Sequence, residues 1–520
     1  MMALLQRFLQ SRIRKKLNRY GGVINKVDAS QPKTIETSEK VAVVGAGLAG
    51  IAAASLLAER GFRVTLFDRN HYLGGKVGCW DISFGNGFAT KVDHGFHAFF
   101  RHYYNLRSFM EKIGATKCFR TIDDYLVFAK DGKTFSFKNV ATTPVLNILS
   151  LGQNKFFRFR DVLLNPPSWR MGEFLQYDEA QTFAKYDSVS FEDFATQTNL
   201  PSSLRLVFNT FARAFFAPAD KLSTAELMKG FHFFYLSHDH GLLYDYFDTD
   251  YQEALLEPVR RYLLRHQVAI KLGHPVEATR RENDRFLVGS EAFDYLILAA
   301  DIVGTKNICD HSPWIRNISE QTYAELMSLK ASDGYAVYRI WLDKPISRHF
   351  PVFIITEKVD VLDSVTFYDR FDKSARTWAR GCGGGVYELH CYALPSNRLA
   401  DADVKAAFLA EFYSYFPEIR DARIVHEHLQ VKHDFTAFYT NLNNMRPEYR
   451  TAIPNLYLAG DWVKTGTPGM LMEGAYTSGL LCANAILARK GLQEEPVRSV
   501  PTRGLFARPA RLAPRSLFSE

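Results

Sequence analysis

Apolar and polar residues follow three different rhythms along the chain. In the first 20 residues, Leu5, Phe8, Leu9, Ile13, Leu17 and Tyr20 recur at spacings that share one broad helical face, with Arg7, Arg14, Lys15 and Arg19 elsewhere. A polar linker fills 21–39. From Lys40 the texture tightens: VAVV is a short buried strand, and GAGLAG is a turn. IAAASLLAER is an Ala-rich helical run stopped at Gly61, and FRVTLFD is a second strand. Together these make a β-α-β unit of about thirty residues. DRFLVGSEAFDYLILAAD (284–301) predicts strands returning to the same sheet. NLYLAGDW (455–462) predicts the last strand, with a helix from near Glu473 to Arg489 behind it. Two aromatic-rich insertions intervene, roughly 110–254 and 306–440, the second carrying the strand-like runs YAVYRIWL and GVYELHCYAL.

This order predicts an α/β protein. A discontinuous Rossmann-type domain is built from 40–110, 255–305 and 441–490, and an α+β substrate domain is inserted as 111–254 and 306–440. Residues 491–520 are expected as a basic disordered tail, because Pro, Arg and Ser occur there without periodicity.

Gly45, Gly47 and Gly50 form a GxGxxG turn between the first strand and its helix. The first glycine permits the tight turn, the second lets a pyrophosphate approach the backbone, and the third lets helix and strand pack closely. Asp68 ends the second strand, where a carboxylate accepts hydrogen bonds from ribose hydroxyls and repels a 2′-phosphate. Two further signals favour FAD over a nicotinamide. HYLGGKVG supplies Gly74, Gly75 and Lys76, a second glycine turn with a cation for the phosphates. LYLAGDW supplies Gly460 and Asp461 ahead of a helix whose N-terminal dipole can face the flavin.

In combination these segments resemble the flavin-containing amine oxidase superfamily, which includes the carotenoid desaturases. The resemblance implies that Gly45, Ala46, Gly47, Leu48, Gly50, Asp68, Gly74, Gly75, Lys76, Gly460, Asp461 and Met472 contact FAD. It also implies that Val276, in a strand KLGHPVEAT, flanks the adenine. Most members carry Glu where Asp68 stands and Arg where Lys76 stands, so charge is kept and reach is altered.

Three stretches are more particular: VDHGFHAFFRHYYNLRSFMEKIG (92–114), FARAFFAPADKLSTAELMKGFHFFYLSHDHGLLYD (211–245) and NLYLAGDWVKTGTPGMLMEGAYTSG (455–479). They resemble isorenieratene synthase and related carotenoid β-ring desaturase/methyltransferases. That similarity implies a carotenoid or other polyisoprenoid substrate. It also implies hydride removal from a β-ring, migration of one methyl and formation of an aromatic ring, without an outside methyl donor. His94 and His97 fall in the segment that, by resemblance, passes near the flavin, and either can take a proton near neutral pH. Glu473 opens the final helix; capping or a dipole contact is its first reading and catalysis the second. Eight aromatics between Phe231 and Tyr251 suit a polyene tunnel, though core packing accounts for most of them.

Composition narrows the setting. The 520 residues are 47% hydrophobic, 23% charged and 14% aromatic, as in a large globular protein. The net charge of +8 resides in the tails, since 1–30 carry +6 and 496–520 carry +4 while the body is near neutral. A neutral body gives no footprint for nucleic acid. The basic N-terminal pattern points to a peripheral membrane surface, with a targeting segment as the alternative. Six scattered cysteines without a CxxC pair predict neither a metal site nor a disulfide framework, and a reducing, cytoplasmic compartment is the expectation. The sequence leaves the electron acceptor open among a quinone, oxygen and a protein carrier. Alternative readings are an acyclic carotene desaturase or isomerase, an amine or porphyrinogen oxidase, and a non-enzymatic prenyl-binding protein like the GDP-dissociation inhibitors.

Overall fold

A computed structural model describes residues 11–13, 15, 22–85, 87–395 and 400–507. Most of the predicted N-terminal helix lies outside the described residues; 11–13 and 15 are helical.

The nucleotide-type half is built from β1 (Lys40–Val44), α1 (Leu48–Glu59), β2 (Arg63–Phe67), α2 (Tyr104–Lys112), β3 (Ala269–Lys271), β4 (Tyr295–Leu298), β5 (Leu456–Leu458) and α3 (Leu471–Arg489). The strands form one parallel sheet in the order β3-β2-β1-β4-β5. β1 is apolar at every position from Val41 to Val44 because both faces of the sheet are covered. Val41 and Val43 join the core beneath α1 and α3, while Ala42 and Val44 join a second core against the helices Ile302–Asp310 and Glu320–Ser328. α1 and α3 approach closely because Gly479 has no side chain. A Cβ there would lie 2.0 Å from the Ala49 carbonyl oxygen.

The insertions meet in a seven-stranded sheet. Its order is Ile424–Lys432, Tyr335–Leu342, Gly385–Cys391, Ser364–Phe367, Phe353–Thr356, Leu126–Phe128 and Thr134–Ser136. The single parallel pair joins Leu126–Phe128 of the first insertion to Phe353–Thr356 of the second. One face packs against the helix Asp401–Tyr415 through Tyr338, Ile340 and Phe408. The period of two then turns Tyr335, Val337, Phe353 and Ile355 to the other face, which looks toward the nucleotide half.

Several sequence expectations need correction. Of 284–301, only Tyr295–Leu298 enters the parallel sheet; Arg280–Glu282, Arg285–Val288 and Glu291–Phe293 make a separate antiparallel sheet. Val276 is not on a strand, because β3 ends at Lys271 and the chain through Val276 is a loop. The helices Ile302–Asp310 and Glu320–Ser328 pack against the parallel sheet through Ile308 and Leu326. The tail expected from 491 is structured through 507. Arg498–Ser499 pairs with Gly22–Val23, and Val497 and Val500 are buried in the main core. Those two apolar residues, spaced among Pro and Arg, were too few to form a periodic signal.

Candidate functional site

The three glycines of the first turn have separate physical roles. Gly45 sits at φ +112°, where a Cβ would press to 2.4 Å from the Ala299 carbonyl oxygen. At Gly50 a Cβ would lie 1.8 Å from the Gly45 carbonyl oxygen, so α1 packs on its own strand only with glycine there. Gly47 differs, since nothing stands within 4 Å of a Cβ built on it and it faces a cavity. Gly47 is also the N-cap of α1 and offers no side chain to the first-turn amides. Those amides are available to an anion.

Asp68 fixes the loop around this turn. Its Oδ2 accepts from Ala46 N at 2.7 Å and its Oδ1 from Asn70 N at 2.8 Å. Burial raises the Asp68 pKa, opposed by these amides. The second glycine turn lies against the first: Gly74 N donates to Ala46 O at 2.8 Å, and a Cβ at Gly75 would meet Gly47 Cα at 3.0 Å. Gly460, at φ +153°, leaves room for the Trp462 indole, whose Nε1 donates to Ala300 O. Thr436 donates to Asp461 Oδ1 at 2.9 Å.

All these elements open onto one cavity of about 700 Å³. Gly45, Gly47, Leu48, Asp68, Gly74, Gly75, Lys76, Val276, Gly460, Asp461 and Met472 line it, as do His94 and His97. Ala46 and Gly50 do not; Ala46 holds Asp68 and Gly50 serves packing. The far end is aromatic, with Tyr125, Phe137, Phe234, Tyr235 and Tyr244. Of the eight aromatics from Phe231 to Tyr251, only Phe234, Tyr235 and Tyr244 line the cavity, and Phe231, Phe233, Phe247 and Tyr251 are buried in the core.

The segment 93–97 brings His94, Phe96 and His97 to the cavity wall on a buried ionic frame. Arg339 Nη2 donates to Asp93 Oδ1 at 3.0 Å and Arg339 Nε to Glu388 Oε2 at 2.8 Å. Asp93 Oδ1 accepts from Gly95 N at 2.8 Å, and Glu388 Oε1 accepts from Phe96 N at 3.0 Å. Burial raises Asp93 to about 6 against the pull of Arg339. At Glu388 burial pushes the other way from Arg339 and His390, which win and hold it near about 2.

Both candidate histidines face the cavity and are otherwise enclosed by protein. His97 Nδ1 lies 2.6 Å from the Gly95 carbonyl oxygen, which only accepts. The ring proton therefore sits on Nδ1, and Nε2 keeps its lone pair. Burial lowers His97 to about 4 and His94 to about 3, so both rings are neutral near pH 7. His94 Nε2 lies 3.3 Å from Tyr72 Oη, and its Nδ1 finds no partner among the described residues. An enclosed polar atom of that kind suits a site that receives a polar group.

Glu473 is placed elsewhere. Although it opens α3, it is not among the cavity-lining residues. Its Oε1 accepts from Asn105 N at 2.9 Å and its Oε2 from Leu106 N at 3.1 Å, satisfying the first turn of α2. Burial raises it to about 7, opposed by those amides. Sequence reasoning missed Tyr335 and Asp434, which meet at 3.1 Å on the cavity wall near Lys76. They lie about a hundred residues apart in the second insertion and share no motif.

A parallel sheet with a glycine turn, a following acid and a C-terminal closing helix defines a dinucleotide-binding oxidoreductase. The chain belongs to the flavin-containing amine oxidoreductase family, whose model matches residues 48–487, and its cofactor is FAD. It is 34% identical to a carotenoid phi-ring synthase of Streptomyces griseus, over 91% of this chain and 92% of that one. It is 28% identical to a carotenoid phi-ring synthase of Chlorobaculum tepidum, again over 91% and 92%. A putrescine oxidase structure superposes with a TM-score of 0.63 over 88% of this chain and all of that one, at 15% identity, a likeness of fold.

Proposed function

We propose that this chain converts a β-ring of a carotenoid into an aromatic ring, with migration of one methyl group. The observation that carries the reading is the single cavity that joins the glycine turn, the neutral histidines and an aromatic far end. The two carotenoid phi-ring synthases similar to it over nine-tenths of its length support the substrate class.

In this reading Gly47, Leu48, Gly74 and Gly75 receive the cofactor's phosphates, with Lys76 as the nearby cation. Asp68 accepts from the ribose and Val276 flanks the adenine. Gly460, Asp461 and Met472 line the opposite end of the cofactor. Bound FAD supplies the acceptor for hydrogens leaving the ring. The chain's own residues orient the substrate and move protons. His97 Nε2, unprotonated, takes the proton released as the ring aromatises, and the Arg339 frame, through Asp93 and Glu388, holds the backbone that positions the His97 imidazole. His94 is a second acceptor beside Tyr72. Aromatic walls favour a delocalised cation on the polyene and exclude water.

Two oxidations are needed per ring, so an external acceptor such as a quinone or oxygen takes the electrons between them. The basic amphipathic pattern of 1–20 supports a peripheral position on a cytoplasmic membrane surface, where a carotenoid dissolves.

Pigment analysis of a carotenoid-producing host expressing the chain tests the reading. Aromatic-ring carotenoids are the expected product. Consumption of acyclic carotenes alone would make the enzyme a chain desaturase and overturn the ring assignment.

A further inference from the structure

Polar groups on the cavity wall beyond the histidines divide by whether the protein satisfies them. Arg213, His390 and Tyr392 are committed within the chain. Arg213 Nε lies 3.1 Å from Asp363 Oδ1, His390 Nε2 lies 3.0 Å from Glu388 Oε1, and Tyr392 Oη lies 2.9 Å from Ser364 Oγ. Tyr244 is different. Its ring lines the cavity, and its Oη is enclosed without a hydrogen-bond partner among the described residues.

The surroundings hold that hydroxyl in one place. Tyr244 opens the strand Tyr244–Phe247, which pairs with Phe99–Phe100 on one side and Phe119–Thr121 on the other. Phe100 packs on its ring at 5.4 Å and Phe96 edge-on at 6.1 Å. Tyr125 lies beside it, with ring centroids 6.0 Å apart, and is itself stacked on Phe137 at 4.1 Å. Tyr235, stacked on Phe231 at 4.8 Å, completes a group of three tyrosines on the cavity wall. Burial raises the pKa of all three, and at Tyr125 the neighbouring Tyr235 and Tyr244 add to the rise. Each therefore keeps its O–H proton at neutral pH.

A hydrocarbon ring offers these hydroxyls no partner. Enclosing a polar group without one opposes folding. A site built around such a group instead favours a ligand that carries the matching oxygen and rejects the analogue that lacks it. Phe96 directly precedes His97, so Tyr244 stands one ring contact from the segment that presents the candidate base. An oxygen bound at Tyr244 belongs to the end of the substrate that reacts.

We propose that Tyr244, with Tyr125 and Tyr235 beside it, binds an oxygen substituent, a hydroxyl or a ketone, on the carotenoid ring that reacts. Ring oxygenation then precedes aromatisation, and a plain β-ring is the poorer substrate. That the ligand is a carotenoid rests on the proposed function; the oxygen subsite rests on the tyrosines.

Flavin-loaded full-length protein in detergent micelles is titrated with three carotenoids of one carbon skeleton: one with plain β-rings, one with a hydroxyl on each ring and one with a ketone on each ring. Binding is read from fluorescence quenching and turnover from product mass. Affinity and kcat/KM for an oxygenated carotenoid are expected to exceed those for the plain one by about tenfold or more. Whichever oxygenated carotenoid does so identifies the group. Tyr244→Phe keeps the ring and removes the hydroxyl, and the preference should shrink to within about twofold. The lost hydroxyl has no partner in the protein, so the variant's thermal midpoint without carotenoid should equal or exceed that of the unaltered chain. Tyr125→Phe is the second variant should the first give no soluble protein, with a smaller loss of preference expected. Equal affinity and kcat/KM for all three carotenoids overturns the subsite and leaves the ring reaction standing. A preference that survives Tyr244→Phe also overturns it. So does a midpoint lowered by several degrees, because the hydroxyl would then be bonded internally, to protein or to an ordered water. An oxygenated carotenoid bound tightly through Tyr244 yet never aromatised keeps the subsite and removes the ring reaction.

Discussion

Arg339 and Glu388 meet in the buried frame behind segment 93–97, where the guanidinium Nε donates to Oε2 at 2.8 Å. The other oxygen of Glu388 accepts from Phe96 N, one residue before His97. An ion pair placed this way sets the backbone that presents the candidate base. Replacing Arg339 with Met leaves Glu388 and Asp93 buried without their cation, and about 3–5 kcal/mol of destabilisation is expected. A denaturation midpoint within a degree of the unaltered protein would contradict this placement.

The glycines of the first turn separate folding from cofactor binding. Gly47→Val places its side chain in the cavity, not against protein, because no atom stands within 4 Å of the new Cβ. A folded protein lacking the bound-flavin absorbance is expected. Gly50→Val forces a Cβ into the Gly45 carbonyl and should give little soluble protein. A folded G47V protein with full flavin content would remove Gly47 from the phosphate site.

His97→Ala removes the proposed proton acceptor without touching the glycine turns. A kcat lowered about 10²-fold or more is expected, with flavin content unchanged and KM within a few-fold. Retained kcat would reduce His97 to a wall residue.

Acid should loosen the fold through buried neutral histidines. His232 is buried, bonds the Pro501 carbonyl through Nε2 at 2.9 Å and stacks on Tyr177. Burial lowers its pKa from 6.5 to about 4. Between those values the unfolded chain binds more protons than the folded one. The stability is therefore fully present above pH 6.5 and lost progressively as pH falls toward about 4, reaching about 3 kcal/mol. His232→Gln keeps a donor for Pro501 without titrating, and should flatten the midpoint's fall between pH 7 and 5. A slope as steep as that of the unaltered protein would assign the acid sensitivity to other groups.

The parallel sheet was legible because its strands are continuous apolar runs and its turns need glycine for steric reasons a single sequence records. Gly45 and Gly50 have the steric roles their spacing implied, and Gly47 faces the cavity. Legibility fell where long-range partners decide. Glu473 looked like a group beside the flavin because α3 begins there, yet its carboxylate turns to the amides of α2, nearly 370 residues away in sequence. Val276 reaches the cavity from a loop whose sequence resembled a strand. Arg339, Asp93 and Glu388 carry no shared motif, and only the pairing of the insertions brings them together. Residues 497–507 order because Val497 and Val500 find a core that no local periodicity announces.

The central claim concerns what happens to the ring, and the product's mass and label test it most directly. Purified flavin-loaded protein is supplied with β-carotene labelled in the ring methyl groups, together with a quinone acceptor. The account predicts an unchanged carbon count, four hydrogens lost per ring and every methyl label retained. A partly oxidised ring should accumulate when the quinone is limiting, because each ring needs two separate oxidations. A product that gains a methyl from an outside donor, or β-carotene recovered intact while an acyclic carotene is consumed, contradicts it.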